Sequence, residues 1–220
     1  MPAQVKVFLL FFSVGFGFFC SCSSPSKISN PIVKQDALES SSMTLDGAIY
    51  KKVDFIDNSN AKVPYLSLAV FFDSVRPLKT KIENQEKLSL QSRGEAHITI
   101  LTPAEWLQIT KRVPAKLIVE LAHLNRLQDI PFQAVCVGRG VKTEDQKTLS
   151  TYFLVVDAPK LIELRRSIQS VYITRGGSTT DFDPNDFQPH ITSGFTVRDL
   201  HSQDGVVKNK ASCFSQIHIL

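Results

Sequence analysis

The tripeptide His-Ile-Thr occurs twice, at His97-Ile98-Thr99 and at His190-Ile191-Thr192, and each copy sits in a run that reads as a β-strand. No other feature constrains the chain as tightly. Strand side chains alternate between faces, so each copy sends Ile to the core and presents His and Thr together on the other face. Successive residues on one face lie roughly 6 to 7 Å apart, a span that straddles a phosphate. Set across a cleft, two such strands would bring imidazoles to a phosphorus from opposite sides, as in-line displacement requires of a base and an acid. The two hydroxyls would donate to the non-bridging oxygens. An imidazole pKa of about 6.5 lets one ring be neutral and the other protonated at one working pH.

A single His-Ile-Thr is more often a surface or satisfied core position, and it is the recurrence that argues for a site. His123, His201 and His218 have no Thr two residues on and read as structural. A zinc site built on His97 and His190 is the competing reading. Zinc wants three or four ligands and no third is marked, so no metal and no cofactor is expected.

The chain has 220 residues, 43% hydrophobic and 21% charged, a composition that favours one or two folded domains over disorder. A formal charge of +4 without a basic block gives no reason on charge alone to expect a nucleic-acid surface. A small anionic ligand needs only one or two local cations.

The apolar run Val7 to Phe19 follows Lys6 and precedes Cys20-Ser21-Cys22-Ser23-Ser24-Pro25. It is too short for a bilayer span of about 20 residues and has the order of an export signal. Cys22 after Ser21 sits where a bacterial lipoprotein is lipidated, although Phe19 and Cys20 depart from that signal. The expected organisation is a leader over 1–22, a Ser-rich tether and transitional segment over 23–60, and a folded domain over 61–220. The protein is expected outside the cytoplasm, as a membrane-anchored lipoprotein or a periplasmic or secreted form. Cys136 and Cys213 would then share a disulfide-permissive compartment; buried free thiols are preferred to a bridge, and their pairing is left open.

An edge strand is placed around Tyr50 to Ile56, a buried strand over Tyr65 to Phe72 and a short helix between Asp73 and Arg93. The first motif strand follows, over Ala96 to Leu101. Thr102-Pro103-Ala104-Glu105 has the pattern of a capping box, with Trp106, Leu107 and Ile109 as the apolar face of the helix. Ala115 to Leu127 reads as a further helix or as a strand plus a helix. Phe132 to Gly138 and Thr148 to Asp157 read as strands joined across Gly140 to Gln146, Pro159 to Tyr172 as a helix, and Phe214 to Leu220 as a closing strand.

These residues resemble the two-histidine (2H) phosphoesterase superfamily, which carries two His-x-Thr/Ser motifs; the match covers roughly Tyr65 to Leu220. His97-Ile98-Thr99-Ile100-Leu101-Thr102-Pro103 and Gly194-Phe195-Thr196-Val197-Arg198-Asp199-Leu200-His201 are most similar to the Swiss Army Knife RNA-repair-like branch. The resemblance implies an α+β, bilobed, duplicated fold with two antiparallel sheets flanking a central cleft and helices outside. It implies phosphodiester chemistry on 2',3'-cyclic phosphates or 2'-5' linkages of nucleotides or RNA ends. By position, His97 and His190 would be the acid/base pair, with neither assignable as base, and Thr99 and Thr192 would bind phosphate. The fourth motif residue is Ile100 in one copy and Ser193 in the other.

Secondary substrate contacts are Lys208, Arg93 and Tyr65, each weighed against a plain surface role, with Lys208 read more readily as a solvated lysine. No protein partner is expected; a lipid anchor would attach the chain to a membrane. The alternative function is a non-catalytic surface lipoprotein of the same fold that binds a nucleotide or RNA end.

Overall fold

Residues 133–157 hold the longest β-forming run in the chain, and they build the spine of the fold. In the computed structural model, which describes residues 42–220, β4 (Gln133–Glu144) and β5 (Lys147–Asp157) form a long antiparallel hairpin. Its turn residues Asp145 and Gln146 both have positive φ, the geometry that matches the twist of a two-residue hairpin loop. The strand therefore runs on through Gly140 to Glu144, where the sequence suggested a loop. Leu149 to Val156 are all buried, as expected for a strand covered on both faces.

The other strands are β1 (Ser42–Leu45), β2 (Leu66–Ala69), β3 (His97–Leu101), β6 (His190–Phe195) and β7 (Cys213–Ile219). They arrange as a five-stranded sheet in the order β1-β7-β4-β5-β6 and a two-stranded sheet, β2-β3. The helices are α1 (Phe72–Glu86), α2 (Pro103–Thr110), α3 (Ala115–Leu124) and α4 (Pro159–Thr174). One unit thus recurs: β2, α1 and β3, then β5, α4 and β6. In both, the strand after the helix pairs antiparallel with the strand before it, and in both it carries His-Ile-Thr.

The structure departs from the sequence pattern at several places. No strand forms over Tyr50–Ile56; instead β1, within the Ser-rich region, pairs parallel with β7, so the larger sheet is not wholly antiparallel. Met43 and Leu45 of β1 are buried, and that two-residue alternation was too brief to stand out. The helix between β2 and β3 is long, 15 residues, despite Pro77 within it. Val75, Leu78 and Ile82 give it a buried stripe that its polar average hides. On α2 the Thr102–Glu105 capping box forms, with Thr102 N–H donating to Glu105 at 2.8 Å and Glu105 N–H to Thr102 Oγ1 at 3.3 Å. Trp106 and Ile109 are buried there, but Leu107 is exposed. Pro114 caps α3, which resolves the segment that follows as helix.

Cys136 on β4 and Cys213 on β7 form a disulfide across adjacent strands, Cα to Cα 5.8 Å. This overturns the preference for free thiols; the pairing depends on strand order, which spacing does not reveal. The leader, Cys22 and residues 23–41 lie outside the described residues. No helix among the described residues is long and apolar enough to cross a membrane.

Candidate active site

The two motif strands carry the same burial pattern. Ile98 and Ile191 are fully buried, while His97, Thr99, His190 and Thr192 are partly exposed on the opposite face. β3 and β6 approach one another. The segment entering β3 is tied to the end of β6: Gln91 N–H donates to the Phe195 carbonyl at 2.7 Å, and Phe195 N–H to that of Gln91 at 3.1 Å. This bridge fixes how the motifs face. A small cavity between them is lined by Ser92, Arg93, Glu95 and His97 on one side and Thr192, Ser193 and Gly194 on the other. The Ser193 hydroxyl is buried there without a hydrogen-bond partner.

The imidazoles have different surroundings. His190 places Nδ1 2.7 Å from the Gln188 carbonyl, which can only accept, so Nδ1 carries the proton and Nε2 keeps its lone pair. The Phe153 ring meets it edge-on with centroids 5.8 Å apart. Burial first, then the nearby Lys208 charge, push its pKa down to about 3, so it is neutral at ordinary pH. His97 instead has Nδ1 3.5 Å from the Glu95 carboxylate. Burial lowers its pKa as well, and the Glu95 charge offsets only part of that lowering. Tyr65 lies beside it with ring centroids 5.4 Å apart, its phenol pKa raised by burial and then by Glu95.

Asp199 organises the cations and hydroxyls around this pair, and the sequence reading assigned it no role. Its Oδ1 accepts from Lys208 Nζ at 2.9 Å and Thr151 Oγ1 at 2.8 Å; its Oδ2 accepts from Thr192 Oγ1 at 3.2 Å and Arg93 Nη2 at 3.3 Å. Burial alone would raise this carboxyl, but the Lys208 ammonium and these donors outweigh it and hold the pKa below its ordinary value. Lys208 is only 4% exposed, with Nζ 5.4 Å from the Phe153 ring centroid, and is no solvated lysine. The Asp199 carboxylate makes its burial tolerable. His201, read as structural, lies close enough to Asp199 and Lys208 to feel both charges.

The loop carrying these groups is pinned from below. Asp204 accepts from Arg198 through both carboxylate oxygens at 2.8 Å, from Lys142 at 3.0 Å and from the His201 backbone at 3.0 Å. Of the candidates named from sequence, His97, Arg93 and Thr192 line the cavity, while Lys208 and Thr192 meet on Asp199. Tyr65 flanks His97, and Thr99 lies opposite Ser67 on β2, partly buried. Among the described residues no group of three or more His, Cys, Asp or Glu is gathered as a metal site.

Beneath the site lies a second organiser that the sequence did not signal. Arg165 of α4, 1% exposed, donates to the Ile100 carbonyl on β3, to both Glu105 oxygens on α2, and to the Asp183, Pro184 and Asp186 carbonyls leading into β6. One side chain therefore ties both motif strands to the same helix.

Residues 65–201 match the family model described as Swiss Army Knife, 2H phosphoesterase domain. No curated protein matches the chain.

Proposed function

The chain belongs to the Swiss Army Knife branch of the 2H phosphoesterases, and on that footing we propose that it is an exported, metal-independent phosphodiesterase. Its substrates are 2',3'-cyclic phosphates or 2'-5' linkages of nucleotides or RNA ends. Membership makes phosphoester hydrolysis the expected class of activity. The observation that carries the finer reading is the unequal pair of imidazoles on matching strands: His190 neutral with its Nε2 unprotonated, and His97 with the Glu95 carboxylate beside it to offset part of the lowering that burial imposes. His190 is then the base and His97 the acid. His190 Nε2 takes a proton from water as the water oxygen bonds to phosphorus; the bond from phosphorus to the ester oxygen breaks, and His97 delivers its proton to that oxygen. One water is consumed, and proton exchange with solvent restores both rings. Thr99, Thr192 and Arg93 bind the non-bridging oxygens, and Lys208 compensates their charge.

The recurring strand, helix and antiparallel motif strand support reading the domain as a bilobed duplication. The leader over 1–22, with Cys22 as its lipidation site, and the Cys136–Cys213 disulfide both suit export to an oxidising compartment.

The test is turnover by purified residues 23–220, which omit the leader and Cys22, on a panel of 2',3'-cyclic nucleotides and 2'-5' linked oligonucleotides, with and without chelator. His97→Ala or His190→Ala should lower kcat by about 100-fold or more while the fold is kept. Activity within threefold of the parent would overturn the assignment, and loss to chelator with recovery on adding metal would overturn metal independence. One observation favours the alternative, a nucleotide- or RNA-end-binding surface lipoprotein without turnover. His190, with its pKa pushed down to about 3, is a weak proton acceptor, which handicaps turnover without touching binding. Saturable binding without product formation would select that reading.

A further inference from the structure

A groove of about 300 Å³ opens beside the motif cavity, and the two share His97 and Glu95 as a common wall. Its apolar side is built by Val53, Ile56, Tyr65, Val70 and Phe72; its polar side includes Asp54, Glu95 and Asn58. Asn58 donates its amide NH2 to the Ile56 carbonyl and the Ser67 hydroxyl, both at 3.4 Å, so what the groove has to offer a ligand is chiefly carboxylate acceptors. No Lys or Arg lines it. Arg93 lies on the motif-cavity side, Lys52 pairs with Asp129, and Lys51 lies over the Phe71 ring.

We infer that this groove holds the organic half of the phosphoester, and that it selects a single nucleoside bearing no further phosphate. The inference rests on the phosphodiesterase reading and narrows its substrate class. The volume is at the small end of ligand pockets, roughly 300 to 1,000 Å³, which suits one nucleoside rather than an oligonucleotide. The apolar wall takes the face of a base, with Tyr65 placed to cover it. Asp54 and Glu95 accept from base N–H groups or ribose hydroxyls, and both repel a second anion. The sign of the charge thus divides the site: Arg93 and Lys208 on the phosphate side, carboxylates on the nucleoside side.

The test compares kcat/KM for a nucleoside 2',3'-cyclic phosphate with that for the same compound carrying a 5'-phosphate. The parent should prefer the unphosphorylated compound by about tenfold or more. Asp54→Lys, at an exposed position where folding is not at stake, should bring the ratio close to one or invert it. Equal rates in the parent, or an unchanged ratio in Asp54→Lys, would overturn the inference while leaving the phosphodiesterase reading intact. If neither compound turns over, that reading fails separately. The groove is then tested by nuclear magnetic resonance titration with adenosine against adenosine 5'-monophosphate. Stronger binding of adenosine, with shifts at Tyr65 and Phe72, supports it; equal or weaker binding overturns it.

Discussion

Arg165→Met removes the side chain that ties both motif strands to α4, and its cost follows from what is left behind. Six hydrogen bonds vanish, two of them to Glu105 and four to backbone carbonyls. Residues Asp183 and Asp186 are exposed, so their carbonyls regain water at little cost; Ile100 and Pro184 are buried, and theirs do not. Each orphaned buried acceptor costs about 1–3 kcal/mol. The half-buried Glu105 keeps its capping bond to Thr102 but loses the guanidinium that its charge faces. The Phe182 and Phe187 rings, 4.7 and 4.9 Å from the guanidinium carbon, keep apolar contact with Met. The sum is about 4 kcal/mol, within the range of about 3–5 kcal/mol for breaking a buried ion pair.

A chain of this size loses about 2–4 °C of Tm per kcal/mol, so the expected drop is about 8–16 °C by calorimetry. Arg165→Lys should recover only a minority of it, because one ammonium cannot serve a carboxylate fork and carbonyls on two sides. Adding Glu105→Gln to Arg165→Met should restore little, since the orphaned carbonyls remain. A Tm within about 3 °C of the parent for Arg165→Met, or full recovery by Lys, would refute the reasoning.

A methyl group on Gly138 would stand 2.3 Å from the Phe153 ring, which in turn packs against His190 and beneath Lys208. Gly138→Ala should cost about 1–3 kcal/mol of stability and lower kcat by about tenfold to a hundredfold, with Phe153→Leu in the same chain recovering part of both. The Cys136→Ser, Cys213→Ser pair opens a link across 77 residues of sequence and should cost about 4 kcal/mol; dithiothreitol should lower the parent's Tm similarly and leave the variant's unchanged. The pH profile of kcat/KM should show an acidic optimum. If the roles are as proposed, His190, with its pKa near 3, stays neutral as base throughout, while His97 as acid loses its proton as pH rises through a pKa lowered below the ordinary value of about 6.5. A basic limb above pH 7.5 would contradict this. Stability should run the other way. Between about pH 3 and 6.5 the unfolded chain binds protons at His190 and His97 that the folded chain resists, so Tm falls as pH falls through that window. A flat Tm from pH 7 to 4 would contradict it.

Much of the local structure was legible because it depends on short-range rules. A strand's two-residue period is enough to put His97 and Thr99, or His190 and Thr192, on one face with the isoleucines buried. A Thr and a Glu three residues apart, with Pro between them, are enough to start α2. The elements misread were those whose apolar signal is thin or interrupted: β1, with two buried residues, and α1, where Pro77 and a polar average conceal the stripe of Val75, Leu78 and Ile82.

The sequence by itself determined which residue types share the open face of each motif strand, since the motif and its alternation are local. Tertiary structure alone decided how those residues differ. The two motifs are identical letter for letter, yet one imidazole lies against the Phe153 ring of β5 within reach of the Lys208 charge, while the other lies beside Tyr65 and feels Arg93 and Asp199. That difference sets their protonation, and it comes from burial and from neighbours on other elements. Asp199, Lys208, Thr151 and Arg93 meet only after the loop beyond β6 folds back over β5, and Cys136 finds Cys213 only because β4 and β7 are neighbours. Strand order and loop path are global properties of the chain, and the charges that tune the site depend on them.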